Sequence, residues 1–336
     1  MLAVLAGVSW LWYTTRELRQ VFLDEDAPPA AGWMDTLRAR ARLPDLSDLM
    51  LARTDTGDAS LVLYDTTVSW KAPAGLDSAY AALVGPRRAV AADSALWHTV
   101  AADTSLDRLV AAARRREWRA FDHSFRAQPG TAQSSGFSFW TMPIPRYSRM
   151  PSGAQGLALR AAMRVGRGNR AGARTDLAAA LGLGEHMVRE EPYLIGGLIG
   201  RRLIRVALRG YAAYAAVTRD TALGRHVAEL RARSDPRSRV QTAWLATMPE
   251  SALAFAADTT VPLGWRTEAV AVVVGRALTR PRSVLFGAPR QLLTALDSLA
   301  GGSAGDISKV IAYLRHDVEW YNRSSPRGRW RALTGR

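Results

Sequence analysis

Ser152-Gly-Ala-Gln-Gly-Leu-Ala-Leu-Arg-Ala-Ala-Met-Arg-Val-Gly-Arg-Gly168-Asn169-Arg-Ala-Gly-Ala-Arg-Thr-Asp-Leu-Ala-Ala-Ala-Leu181 decides the fold class. Bulky and small apolar residues recur at helical spacing on both sides of Gly168-Asn169. That pair tolerates the left-handed backbone a chain reversal needs, so the stretch predicts two antiparallel helices. A third apolar run follows Pro192 and continues to Val217, and proline suits a first helical position because its missing N–H would be unpaired there anyway.

Working outward, the helical period reappears over much of the chain. Leu106, Leu109, Val110, Ala113, Phe121 and Phe125 form one stripe, with Arg114, Arg115, Arg116 and Arg119 on the other side. That arginine run is either a solvated helix face or a grip on a partner or lipid headgroup. Beyond Val217, helices are expected over about 221–233, 237–257, 264–280, 288–300 and 306–322, punctuated by Pro236, Pro262, Pro281 and Gly301-Gly302. Only Leu61 to Trp70 alternates like a strand. The fold class is all-α, built of helical hairpins in an α-solenoid-like bundle with an N-terminal membrane anchor helix. Its parts are the anchor (1–23), a linker with short helices (24–58), a helical subdomain (59–126), an aromatic and proline-containing loop (127–151), a helical-hairpin domain (152–322) and a basic-aromatic tail (323–336).

Leu157, Ala161, Gly168, Ala173, Leu177, Ala180 and Leu181 stand where tetratricopeptide repeats place their packing residues, so residues 152–185 resemble one such hairpin. The resemblance implies close helix–helix approach and a bias toward protein binding; an ordinary helical bundle accounts for the same residues. Arg160 and Arg164 depart from the pattern, occupying positions where the family has apolar side chains, and no second copy follows at the same period.

The N-terminus carries the clearest functional signal. Leu2, Val4, Leu5, Val8, Trp10, Leu11, Trp12 and Tyr13 make an uncharged apolar run that ends in aromatics and is followed by Arg16 and Arg19. Tryptophan and tyrosine favour the headgroup level, and arginines can snorkel to it, so lipid headgroups are expected partners here. Thirteen helical residues reach about 20 Å against a hydrocarbon core of about 30 Å, which leaves open whether the segment spans or lies in the interface. A cleaved signal peptide and a buried core helix are the rival readings. The body is expected outside the cytoplasm, although Arg16 and Arg19 favour the opposite side.

The formal charge of +15 suggests an anionic partner. Only Lys71 and Lys309 are lysine, however, so the arginine-rich, alanine-rich composition reads as high-GC coding bias. With no cysteine, disulfides and thiolate metal sites are excluded. The histidines, His98, His123, His186, His226 and His316, do not fall three or four residues apart, so no helical metal site is expected. No phosphate loop, dinucleotide fingerprint or nucleophile elbow is present, and Glu190-Glu191 reads as a pair of partners for nearby arginines. Gly196, Gly197 and Gly200 read as a close-packing helix face. No cofactor, metal or catalytic residue is expected.

Phe137, Phe139, Trp140 and Tyr147 lie among glycines and prolines in the loop, and Trp320, Tyr321, Arg323, Arg327, Arg329 and Trp330 in a tail expected to extend rather than pack. These are the candidate partner-binding residues, since interfaces favour aromatics and arginine; a loop folded onto its own core is the alternative for the first group. The expectation is a non-catalytic subunit of a larger membrane-protein complex, with a nucleic-acid-binding protein or an unrecognised enzyme as alternatives. In general style, and by no particular motif, the chain resembles the membrane-extrinsic accessory polypeptides that hold a reaction centre inside its antenna ring in bacterial double-ring photosystems. That resemblance implies a structural role rather than light harvesting.

Overall fold

A computed structural model describes residues 32–64, 70–85, 94–120, 149–234, 249–279, 290–301 and 306–326, with 123, 145 and 147. In chain order the elements are α1 (Trp33–Ala41), β1 (Asp55–Asp58), α2 (Leu61–Tyr64), α3 (Leu76–Val84), α4 (Ser94–Ala102), α5 (Thr104–Ala113) and β2 (Arg115–Glu117). They continue with α6 (Arg149–Gly166), α7 (Arg170–Glu190), α8 (Leu194–Thr218), α9 (Thr221–Ser234), α10 (Pro249–Ala257), α11 (Leu263–Thr279), α12 (Arg290–Gly301) and α13 (Asp306–Ser324). The described residues are thus mostly helical. They divide into two compact units, one of residues 43–234 with 262–264, the other drawn from the remainder.

The larger unit is organised around α6, α7 and α8, each packed on the other two. Gly168 takes φ 78° at the α6–α7 reversal, and the Asn169 side chain accepts from the Gly172 N–H at 2.8 Å to cap α7. Leu157, Ala161, Ala173, Leu177, Ala180 and Leu181 are all buried in the seam. Small residues set how closely the helices approach. A Cβ on Gly200 would lie 2.6 Å from the Gly184 carbonyl oxygen, and one on Gly156 would lie 2.8 Å from Trp70. Gly197, in the same helix as Gly200, has open space where its Cβ would stand. Tyrosines pin outlying segments to this core: Tyr211 donates to the Leu49 carbonyl at 2.7 Å and Tyr80 to the Val206 carbonyl at 3.1 Å.

Arg160 and Arg164, the two departures from the repeat pattern, share one acid. Arg160 donates to both Asp176 oxygens at 3.1 and 2.8 Å, and Arg164 to Oδ1 at 2.9 Å. Burial opposes the Arg160 charge, but the Asp176 and Asp107 carboxylates outweigh it and hold the guanidinium more firmly protonated than usual. Burial raises the Asp176 carboxyl despite its two arginines. Against burial, the three hydrogen bonds donated to it by the arginines favour its ionised form.

Several expectations are corrected. Leu61 to Tyr64 is a helical turn, not a strand, because the Ser60 N–H and hydroxyl both bond Asp58 Oδ1 and start a turn there. Among the described residues the strands are Asp55–Asp58 and Arg115–Glu117, a short parallel pair. The helix that carries Leu106, Leu109, Val110 and Ala113 ends at Ala113, the arginine run is in part an extended strand paired with β1, and Phe121 and Phe125 lie outside the described residues. The third long helix starts at Leu194 rather than Pro192.

In the other unit, α12 and α13 pack together through Leu292, Leu296 and Leu299 and a stripe of Ile307, Val310, Ile311, Leu314 and Val318. Arg38 reaches Asp258 at 3.3 Å, joining α1 to the end of α10. Helix α13 runs on through Ser324, so Trp320, Tyr321 and Arg323 are helical rather than extended, and Tyr321 donates to the Leu278 carbonyl at 2.9 Å.

Candidate functional site

Two features of the larger unit gather charge: a buried polar cluster at the C-terminal end of α7, and an exposed face of α8.

The cluster forms because the last two turns of α7 carry Glu185, His186, Arg189 and Glu190 before the chain leaves the helix at Glu191. Glu185 pairs with Arg53 from the segment before β1 and with Arg189 one turn on. His186 is fully buried, with Nδ1 2.9 Å from Glu190 and Nε2 3.0 Å from the Arg115 carbonyl. The carbonyl can only accept, so Nε2 is the donor in that contact. The indole of Trp118 stacks on this imidazole, centroids 5.7 Å apart. Trp118 Nε1 also donates to Glu191 at 2.9 Å, and the Tyr147 hydroxyl donates to the other Glu191 oxygen at 2.5 Å. Burial, then the neighbouring Glu191 charge, drives the Tyr147 hydroxyl far above the usual phenol range.

A second carboxylate, Asp58 at the end of β1, accepts from the Arg119 N–H at 2.9 Å, from the Ser60 hydroxyl at 2.7 Å and meets His123 Nε2 at 2.5 Å. Burial works to raise this carboxyl, and those hydrogen bonds together hold it below its ordinary value. Serine, aspartate and histidine are all present, but in the wrong order for acyl transfer. Activation of the hydroxyl needs imidazole on the serine, whereas here the carboxylate stands between them. Both carboxylates act as brackets, tying β1, β2 and α7 together.

The exposed face of α8 differs. Ile195, Leu198, Arg202, Arg205 and Arg209 recur at intervals of three and four, which places them along one side of the helix. Ile195 is 49% and Leu198 37% exposed, and the three arginines are exposed. Among the described residues, none of these arginines makes a hydrogen bond or ion pair. Arg201, on the buried side, is pushed down to about 10 by burial and by the adjacent Arg205 charge. Arg202, Arg205 and Arg209 therefore line this face with no acid paired to them among the described residues.

Of the residues singled out from sequence, Tyr147 is described and buried at 5%, so its hydroxyl belongs to the core cluster rather than to a partner surface. Trp320 is 50% exposed and Arg323 is exposed, while Tyr321 is half-buried. Phe137, Phe139, Trp140, Arg327, Arg329, Trp330 and the anchor residues Leu2 to Arg19 lie outside the described residues. Glu190 meets Arg53 at 3.6 Å as expected of a carboxylate near arginines, but Glu191 instead takes a tyrosine and a tryptophan. The α8 face was missed although its three-and-four spacing is plain in the sequence, because Arg202, Arg205 and Arg209 are scattered among apolar residues and line up only once the helix faces are separated. Among the described residues no helix is long and apolar enough to cross a membrane, and no acid–histidine group could hold a metal ion.

Comparison with family models, curated proteins and solved structures finds no match.

Proposed function

We propose that the protein is a non-catalytic assembly subunit that docks on an anionic membrane-complex surface, and the observation carrying this is the α8 face. Ile195 and Leu198 offer apolar area, and Arg202, Arg205 and Arg209 continue the same face with unpaired positive charge. Juxtaposed apolar and cationic side chains suit a headgroup layer or the acidic rim of a membrane protein. The apolar Met1–Tyr13 run supplies a second, independent attachment in this reading, and the tetratricopeptide-like hairpin around Gly168 fits a protein-binding role. Placement of the body outside the cytoplasm, and a photosynthetic reaction centre with its antenna as the assembly, are the finer forms of the same proposal.

The test is co-sedimentation of the full chain with vesicles of phosphatidylcholine alone or with phosphatidylglycerol, and co-purification from native membranes. Arg202→Glu/Arg205→Glu is expected to weaken association with anionic vesicles and release the protein from the native complex at lower salt. Unchanged retention of this variant in both assays overturns the reading. Tighter, strongly salt-dependent binding to DNA than to vesicles would favour a nucleic-acid partner instead.

A further inference from the structure

Beside α8 the larger unit contains an apolar hollow of about 470 Å³, within the size range of small-molecule sites. Leu83, Trp97, Ala162, Val165, Tyr214 and Val217 are among its walls. It exists because α6 and α8 face each other here with alanine and glycine, so the backbones approach but the side chains do not fill the gap. Val217 at its edge is 62% exposed, the most exposed large aliphatic or aromatic side chain among the described residues.

A second, polar hollow shares Leu83 and Ala213 with the first, and Arg209 and Arg231 line it. Neither arginine makes a hydrogen bond or ion pair among the described residues. Asp77, the acid lining the same hollow, accepts from Gln155 Nε2 at 2.9 Å. The charged residue in the apolar hollow's own wall, Arg167, is also a cation.

Volume and charge together select an occupant. A helix with side chains is about 10–12 Å across and rises about 5.4 Å per turn, so the hollow holds on the order of one turn. Helix-in-groove docking uses anchors over at least two turns. A single flexible hydrocarbon chain fits without that constraint. We propose that the apolar hollow takes the chain of a single-chain anionic amphiphile, whose head lies across Leu83 and Ala213 against Arg209 and Arg231. A free fatty acid and a lysophospholipid share this chemistry. The site goes beyond the docking role and does not depend on it, apart from sharing Arg209 with the exposed face.

The full chain is titrated, below their micellar concentrations, with dodecanoate, lysophosphatidylglycerol and dodecanol, following tryptophan fluorescence and calorimetry. One-to-one binding of dodecanoate or lysophosphatidylglycerol, at least tenfold tighter than dodecanol, is expected, and the tighter of the two identifies the source. Arg209→Glu/Arg231→Glu is expected to remove that preference. Val217→Trp, a change at an exposed edge that spares the core, is expected to weaken all three ligands at least tenfold, and Ala162→Phe to do the same from inside. Equal binding of dodecanol and dodecanoate, or wild-type binding by Val217→Trp with the helical circular dichroism intact, overturns the proposal. Arg202→Glu/Arg205→Glu separates the two readings: it is expected to release the protein from anionic vesicles while leaving dodecanoate binding unchanged.

Discussion

The Tyr147 hydroxyl and the Glu191 carboxylate meet at 2.5 Å with both side chains buried, so a residue preceding α6 is fastened to the residue that ends α7. Trp118 Nε1 occupies the other donor position on Glu191 and, through its stack with His186, joins β2's end to the same point. Glu191 is therefore a three-way junction. Replacing it with Leu leaves two buried donors unpaired, each costing about 1–3 kcal/mol. Glu191→Gln, which retains an accepting oxygen, is expected to cost clearly less. Urea unfolding of both variants checks this; equal midpoints for the two would show that the donors find other partners.

Asp176 is 0% exposed and shared by two arginines. Asp176→Ala leaves the buried Arg160 guanidinium without its principal partner, which is expected to cost about 3–5 kcal/mol. Arg164→Ala, at 29% side-chain exposure, is expected to cost much less because Arg160 still satisfies the acid. Thermal unfolding monitored by circular dichroism reads both.

Two glycines three residues apart in α8 are expected to respond with opposite signs. Gly200→Ala puts a methyl 2.6 Å from the Gly184 carbonyl oxygen and forces α7 and α8 apart. Gly197→Ala meets nothing within 4 Å and is expected to stabilise the helix by up to about 1 kcal/mol. A destabilised Gly197→Ala protein would show that its open space is in use.

Asp58 sets an acid limit. Its carboxyl is held below the ordinary 3.8, so the folded state binds its proton less readily than the unfolded chain does. The resulting stability is complete above the unfolded value and is lost as pH falls below about 4 toward the lower folded value. Asp58→Asn is expected to lower stability at pH 7 and to flatten the pH dependence below 4. An unchanged slope in that range would assign acid sensitivity to other carboxylates.

The hairpin of α6 and α7 was legible because its information is local: seam residues at helical spacing and a Gly-Asn reversal both lie within one stretch. The strand pair was not, since Arg115–Glu117 continues a helical arginine pattern and becomes extended only by pairing with Asp55–Asp58, far away in sequence. The Glu191 junction was equally hidden, because its donors come from Trp118 and Tyr147 on separate segments. The His186–Glu190 contact was visible as a four-residue interval. Residues four apart meet on a helix, whereas the sequence neighbours Glu185 and His186 point apart.

The shared acid of the hairpin has another consequence. Alanine beside leucine in the α6–α7 seam leaves few bulky side chains to fix how far one helix slides on the other. Arg160 and Arg164 are themselves one turn apart and both reach Asp176. Sliding α6 by a turn, about 5.4 Å, would bring one arginine into the other's place and strand the second away from the carboxylate. A displaced pair would leave a charge without its counterion, at a cost of about 3–5 kcal/mol where it is buried. Asp176 thus acts as an index mark that singles out one sliding position of the seam.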